Sequence, residues 1–287
     1  MTAKLIDGVA IAHAVRAEWK VRADRLRLQG TPPGLTVIMV GENPASKVYV
    51  RNKIRASEEM GIRSEQVLYP ADVSEAEVLR RIGVLNADPN CHGILVQLPL
   101  PPQISVRKVL ETISPDKDVD GFHLYNVGGL VSGGTVFPPC TPYGVICLLD
   151  RTGIPIAGQN VTVVGASNIV GKPMGLMFLQ REATVAICHV KTRDLAQFTI
   201  AADILVVAAG VPNLVTAPMV RTGAVVIDVG INRLPDGRLL GDVEFDTVRQ
   251  KASHITPVPG GVGPMTVTML LCNTIASAER FLTARAA

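Results

Sequence analysis

Aromatic side chains are scarce in this chain: Phe, Trp and Tyr make up 4% of its 287 residues. The core must therefore be built from the aliphatic residues, mainly Val, Ile, Leu and Ala, in a hydrophobic total of 47%. A dense basic block is also missing. Lys and Arg are spread along the chain and the formal net charge is only +3, so there is no electrostatic footprint for a nucleic-acid partner. The five cysteines (Cys91, Cys140, Cys147, Cys188 and Cys272) are odd in number, and none forms a CxxC pair. That excludes a disulfide framework or zinc knuckle and points to a reducing cytoplasm. The first twenty residues, MTAKLIDGVAIAHAVRAEWK, hold no apolar run long enough for a signal peptide, and no stretch approaches the ~20 apolar residues of a membrane span. Neither GxSxG nor HExxH occurs, so serine-based and metal-based hydrolysis lack a motif and no metal is expected.

Present instead is strand–helix alternation, in two halves. Residues 9–29 read as a helix stopped by Gly30 and Pro32–Pro33, 35–40 (LTVIMV) as a buried strand, 44–60 as a helix, 65–69 as a strand, 74–86 as a helix and 93–98 (GILVQL) as a strand. Residues 99–102 and 126–144 are rich in Gly and Pro and aperiodic, and 142–152 fits a connecting helix. The pattern restarts with strand 160–165, helix 171–181, strand 184–188, helix 194–200, strand 204–208, helix 216–221 and strand 224–228. A last amphipathic stretch, 264–283, reads as a long helix crossing back to the first domain. The fold predicted is two α/β domains with parallel sheets and the active site in the cleft between them. Residues 1–140, completed by 264–287, form the catalytic domain, and 141–263 form a Rossmann-like dinucleotide-binding domain.

In the second half, VTVVGASNIVGKPMG sets a buried strand directly before a glycine-bearing turn and a helix. Glycine lets the backbone approach a pyrophosphate, and the helix N-terminus offers free N–H groups. The spacing, Gly165 then Gly171, departs from GxGxxG. At the end of the next strand an NAD enzyme usually carries an acid for the ribose hydroxyls. Here CHVKTRD supplies His189, Lys191 and Arg193, cations that suit the extra phosphate of NADP, although Asp194 follows them.

In the first half, Ser46, Tyr49 and Lys53 fall at i, i+3 and i+7 and share a helix face, with Val50 and Ile54 on a neighbouring face that can pack inward. An aromatic platform beside an amine could serve proton transfer. On spacing alone, a solvated surface pair accounts for Tyr49 and Lys53 better. Gln97 ends a buried strand, at the sheet edge where ligands bind in open α/β folds. It fits either a capping role or a hydrogen bond to an amine or substrate. In SPDKDVDGFH, Asp116, Asp118 and Asp120 alternate as in a calcium loop, but the twelfth position is Val127 rather than Glu, which excludes an EF-hand. A carboxylate that pairs with a guanidine-like heterocycle and a plain Asp-rich turn fit these residues equally. A Cys–His nucleophile from His123 and Cys140 has no supporting signature.

Taken together, VGENPASKVYVRNK, GILVQLPLP, PDKDVDGFH, PPCTP, VVGASNIVGKPM, VVIDVGIN and TPVPGGVGPMT, in this order, resemble the bifunctional methylenetetrahydrofolate dehydrogenase/cyclohydrolase family along essentially the whole chain. The resemblance implies NADP-dependent oxidation of a methylenetetrahydrofolate, hydrolysis of the methenyl product, and a cytoplasmic homodimer serving purine, histidine and methionine synthesis. It implies that Lys53 is the key catalytic residue, that Gln97 holds and tunes it, that Tyr49 stacks on the aminobenzoyl group and that Asp120 binds the pterin. Ser46, Leu98, Pro99, Gly260, Gly261 and Pro264 would complete the folate site. Gly165, Ala166, Ser167, Ile169, His189, Thr192, Gly230 and Ile231 would line the NADP site. Family members often carry Arg where this chain has Ala166, and Lys191 and Arg193 are the cations that can replace it at the 2′-phosphate. The alternatives are an inactive nucleotide-binding protein on the same fold or a dehydrogenase of the amino-acid or shikimate type.

Overall fold

The structure is a computed structural model that describes residues 2–286, without the side chains of 44–48 and 286. In chain order its elements are β1 (Lys4–Leu5), α1 (Gly8–Leu28), β2 (Gly34–Val40), α2 (Pro44–Glu59), β3 (Arg63–Tyr69), α3 (Glu75–Ala87), β4 (Gly93–Val96), α4 (Val106–Thr112), α5 (Leu124–Ser132) and α6 (Cys140–Thr152). There follow β5 (Asn160–Val164), α7 (Gly171–Gln180), β6 (Thr184–Cys188), α8 (Leu195–Thr199), β7 (Ile204–Val207), a 3-10 turn (Ala217–Met219), β8 (Val225–Asp228), β9 (Asn232–Arg233), β10 (Leu239–Leu240), α9 (Phe245–Val248), β11 (His254–Ile255) and α10 (Val262–Ala286). The chain forms two compact units: Ala14–Cys140 with Val267–Ala287, and Met1–His13 with Thr141–Thr266.

The first unit holds a three-stranded parallel sheet in the order β3-β2-β4. Its central strand, GLTVIMV, is buried at every residue, which is why it reads as a continuous apolar run without alternation. Helix α3 starts at Ser74, whose side chain accepts from Glu77 N at 3.2 Å, and it buries Val78, Ile82 and Leu85 against Ile38 and Ile94 of the sheet. Two helices, α4 and α5, stand outside the helices expected from the sequence. Ser105 caps the first through Lys108 N. The His123 ring caps the second through Tyr125 N at 3.0 Å, and Gly133, with φ 79°, ends it.

The second unit holds a six-stranded parallel sheet in the order β1-β11-β8-β7-β5-β6. From β5 the chain goes to one side for β6 and returns to the other side for β7. The strand order therefore reverses beside β5, and in open α/β sheets ligands bind outside the carboxyl ends of the strands at such a point. Residues 1–13, read from the sequence with the first domain, lie in this unit because Lys4 and Leu5 pair with His254 and Ile255. The expected helix at 216–221 is only the 3-10 turn around Pro218, and the strand expected over 93–98 stops at Val96. Among the described residues no helix is long and apolar enough to cross a membrane.

One buried histidine gives the first unit a titration of its own. His92 is 2% exposed and its Nδ1 accepts from Gly34 N at 3.1 Å, so the ring is held neutral with the proton on Nε2. That Nε2 has no hydrogen-bond partner among the described residues. Burial, reinforced by the nearby Lys117 ammonium, pushes the His92 pKa down to about 4. Between pH 6.5 and about 4 the unfolded chain binds a proton that folded His92 refuses, so stability is lost as pH falls through that window. His92→Asn keeps an acceptor for Gly34 N and removes the titration. We expect it to abolish about 2–3 kcal/mol of acid destabilisation, seen as a smaller drop in urea midpoint from pH 7.5 to 4.5 than in the wild type. An equal drop in both would remove His92 as the cause.

Candidate active site

In the three-stranded unit the site is built at the carboxyl ends of β2 and β4. Helix α2 faces inward with Val50, Lys53 and Ser57, and Met60 follows just past its end, all buried. Lys53 is thus 8% exposed rather than part of a solvated surface pair, and Tyr49, at 37%, stands nearer the surface. A buried ammonium needs acceptors. Lys53 Nζ donates to Gln97 Oε1 at 3.0 Å. Gln97 is itself fixed at both ends of its residue: its backbone N donates to Ile38 O at 2.8 Å, and its side-chain Nε2 donates to Leu98 O at 2.9 Å. The second bond turns Oε1 towards the lysine. The side chain of Ser46 lies outside the described residues.

The aspartates of PDKDVDG take three different places. Asp116 is exposed and pairs with Arg280 at 3.3 Å. Asp118 is buried and organises the loop, accepting at Oδ2 from His123 N at 2.7 Å and from Asn126 Nδ2 at 2.8 Å. Asp120, half-buried, is the one facing the amine. Burial raises its pKa above the usual carboxylate value, and the Lys53 charge offsets only part of that rise. Gly121 follows in the left-handed region (φ 78°), and a Cβ there would meet the Pro138 backbone at 2.6 Å, so the Asp120 loop lies directly against PPCTP. Cys140 Sγ donates to Val119 O at 3.2 Å and bonds the Asp120 side chain. Burial, and then the Asp120 charge, raise its pKa well above the usual thiol value, so Cys140 is no nucleophile, and the His123 ring is committed to capping α5. Asn273 of α10, which the sequence did not single out, clamps this corner: its Nδ2 donates to Val119 O at 2.9 Å and to Pro138 O at 3.2 Å.

In the six-stranded unit, the turn after β5 carries Gly165, at φ 118°, and closes on Gly171 at the start of α7. A Cβ on Gly165 would lie 2.1 Å from Ala208 O, and one on Gly171 would lie 1.9 Å from Gly165 O. Both glycines are therefore required by close backbone approach. Ser167 Oγ accepts from Val170 N at 3.1 Å and Gly171 N at 3.3 Å, which sets the turn; Ala166 is half-buried and Ile169 is exposed. After β6, Thr192 and His189 close a tight turn: His189 N donates to Thr192 Oγ1 at 2.9 Å, and Lys191 N donates to His189 Nδ1 at 3.1 Å. Lys191 and Arg193 stand exposed on it. Asp194, the acid that could have held a ribose, instead caps α8 by accepting from Ala196 N at 3.1 Å.

Ile231 is 43% exposed beside Gly230. Under them lie two buried carboxylates that sequence reading missed. Asp228 accepts from Gly230 N, Asp242 N and Val243 N, each at 3.0 Å. Burial raises its pKa to about 6 despite those bonds, and the Asp242 charge adds to the rise. The loop with Gly260 (φ 104°), Gly261 and Pro264 also belongs to this unit; Gly261 O would touch a Cβ on Gly8 at 1.8 Å, and a Cβ on Gly263 would meet Ile231 Cδ1 at 3.7 Å. Neither neighbour was readable from local sequence.

Two family models match the chain. That of the tetrahydrofolate dehydrogenase/cyclohydrolase catalytic domain covers residues 6–120, and that of its NAD(P)-binding domain covers residues 139–282. Among curated relatives, the bifunctional protein FolD of Nitrosospira multiformis is 59% identical over 280 residues, 98% of this chain and 97% of the relative. Among solved structures, the bifunctional FolD methylenetetrahydrofolate dehydrogenase/cyclohydrolase of Campylobacter jejuni is 49% identical, with a TM-score of 0.95 and 97% and 99% of the two chains covered. The Trypanosoma brucei methylenetetrahydrofolate dehydrogenase-cyclohydrolase, solved with NADP and an inhibitor, is 40% identical, with a TM-score of 0.94 and 98% and 99% covered.

The glycine geometry yields a test of the dinucleotide turn. Gly171→Ala forces the turn off Gly165 O, 1.9 Å from the new methyl, and we expect NADP affinity to fall at least tenfold by calorimetry. Gly83→Ala, on α3 with nothing within 4 Å, should leave affinity unchanged. Equal affinities in the two variants would show that the turn tolerates opening.

Proposed function

We infer the roles of individual residues from one premise: the chain belongs to the tetrahydrofolate dehydrogenase/cyclohydrolase family. It oxidises 5,10-methylenetetrahydrofolate to the 5,10-methenyl compound with NADP and hydrolyses that product to 10-formyltetrahydrofolate. The observation that carries the residue-level reading is the buried Lys53 amine, held at 3.0 Å by Gln97 and facing Asp120.

The first step needs little acid–base chemistry. The folate nitrogens stabilise the cation left when hydride leaves the methylene carbon, so the protein's work is to hold that carbon in place. Tyr49 supplies a flat face for the aminobenzoyl ring, with Leu98 and Pro99 beside the folate. Asp120 accepts hydrogen bonds from the pterin, whose amine and ring N–H donors match a carboxylate. Bound NADP is the hydride acceptor. Its pyrophosphate fits the Gly165–Gly171 turn, whose two close backbone approaches leave room for no side chain, with Ala166, Ser167 and Ile169 lining it. His189, Lys191, Thr192 and Arg193 meet the adenine ribose and its 2′-phosphate, and Gly230 and Ile231 lie towards the nicotinamide.

In the second step water adds to the methenyl carbon, one of its protons leaves for solvent, and the other passes to N5 as the bond from that carbon to N5 opens to give the 10-formyl group. Lys53 Nζ moves that proton, and Gln97 holds the amine where it can do so. The three-stranded unit is thus the catalytic, folate-binding part and the six-stranded unit the NADP-binding part. We place the enzyme in the cytoplasm, where its cysteines, none of them in a disulfide, stay reduced, as a homodimer whose formyl product serves purine, histidine and methionine synthesis.

Two measurements test this assignment. Lys53→Met should lower the decay of methenyltetrahydrofolate absorbance by at least about a hundredfold while NADP still binds. Full hydrolysis by a folded variant would take Lys53 out of the mechanism. Lys191→Ala/Arg193→Ala should cut the preference for NADP over NAD, as the ratio of kcat/KM values, by roughly one to two orders of magnitude with little change for NAD. If the preference stays whole, Ser167, His189 or Thr192 must hold the phosphate.

A further inference from the structure

The loops that end β7 and β8 are fastened to each other by one side chain. Asp242 is fully buried, and its Oδ2 accepts from Ala209 N at 2.7 Å and Gly210 N at 2.8 Å, the second and third residues beyond β7's carboxyl end. Its Oδ1 accepts from Asn232 Nδ2 at 2.8 Å, at the start of β9, just past the turn beyond β8. Asp228, at the end of β8, grips the same segment from below through the backbone of Asp242 and Val243 and holds Gly230 N as well. The packing leaves no slack: a Cβ on Gly230 would lie 2.2 Å from Asp242 Oδ1, and one on Gly241 would lie 1.8 Å from Asp228 Oδ2. Ala208, just before the first fastened loop, is the residue whose carbonyl meets Gly165.

These loops border the point where the strand order reverses. With the adenine ribose at the end of β6 and the pyrophosphate at the start of α7, the rest of an extended dinucleotide runs over β7 and β8. We propose that Asp242, seated on Asp228, is a positioning residue for hydride transfer: it locks the 209–210 and 230–232 loops into one surface against which the nicotinamide half of NADP is held. This rests on the reading of the six-stranded unit as the NADP site. Asp242 touches neither cofactor nor folate; it acts through Ala209, Gly210, Asn232 and, between its two anchors, Ile231. Hydride transfer depends on the distance between donor carbon and acceptor, whereas hydrolysis of the methenyl compound needs no nicotinamide. The two activities therefore report differently on this lock.

Asp242→Ala leaves two backbone N–H groups and the Asn232 amide without their acceptor. We expect kcat/KM for NADP-dependent oxidation to fall at least tenfold, with KM for NADP raised, while hydrolysis of added methenyltetrahydrofolate without NADP stays within twofold of the wild type. Asp242→Asn should recover most of the oxidation, because one amide oxygen can take both N–H groups and Asn232 can turn its amide to accept from the new NH2. Should Asp242→Ala fail to fold, Asn232→Ala cuts only the link to the second loop and should raise KM for NADP several-fold, again with hydrolysis unchanged. Undiminished oxidation in these variants, or a parallel loss of both activities, overturns the proposal. The wild type assayed alongside separates the two levels: if it oxidises no methylenetetrahydrofolate with NADP, the functional reading fails and this inference with it.

Discussion

An ammonium group withdrawn from water must find acceptors or lose its charge, and the active corner of the three-stranded unit is arranged around that requirement. Lys53 is 8% exposed, and Gln97 Oε1 meets its Nζ at 3.0 Å. Gln97 can do so only because β4 ends at Val96, its own backbone N is bonded to Ile38, and its Nε2 is anchored on Leu98. A hydrogen bond to a charged group contributes on the order of 1.5–3 kcal/mol, far less than full desolvation of an isolated ammonium costs. The Asp120 carboxylate supplies the remaining electrostatic balance, and it is kept near the amine by Gly121 against Pro138 and by Asn273 on Val119. Helix α2, strand β4, the Asp120 loop and helix α10 are thus tied together by the needs of one amine.

Buried carboxylates do the corresponding work where no cation is at hand. Asp118 gathers His123 N and the Asn126 amide. Asp228 gathers three backbone N–H groups, and Asp242 gathers two with a side-chain amide. In each case the acceptor organises a loop whose N–H groups would otherwise be orphaned at the end of a strand or helix. Burial raises the pKa of Asp118 and of Asp228, which shows that the N–H groups only partly offset the loss of water. Such carboxylates fix backbone geometry at some cost in stability, an exchange expected where loops must hold a ligand.

How much of this was legible in the sequence follows from the range of the interactions. LTVIMV and ILVVA show themselves as strands because they are buried on both faces, and the Gly165–Gly171 turn shows itself because a strand runs straight into it. The i, i+3, i+7 spacing placed Lys53 on a helix face but gave the wrong surroundings, since its partner Gln97 is 44 residues away and the spacing carries no information about it. Helix α5 escaped notice because Gly128 and Gly129 lower its intrinsic propensity. It forms because the His123 ring caps it and buried Asn126 bonds Asp118 and Phe137 N, and Gly129 is needed there because Thr135 returns to within 2.5 Å of where its Cβ would be. Strands of two residues such as β1 and β11 have no period to detect. Asp228 and Asp242, 14 residues apart, meet through backbone bonds that leave no pattern in side-chain type.

The two reactions ask different things of a protein, and the two units answer with different materials. Hydride transfer needs two carbons kept close and water kept away, which is a demand on backbone placement. In the six-stranded unit the groups that fix the candidate cofactor surface are accordingly backbone amides, close glycine contacts and carboxylates that only accept, and the cations there, Lys191 and Arg193, stand exposed where they can select a phosphate without entering the chemistry. Hydrolysis needs a proton moved at a defined atom, which is a demand on one side chain and its immediate neighbours. Lys53 and Gln97, proposed for that task, lie within a single corner that Asp120 faces. Because the fastening of the β7 and β8 loops shares no side chain with that corner, alterations in one set need not disturb the other, and the folate that both steps use is what links them.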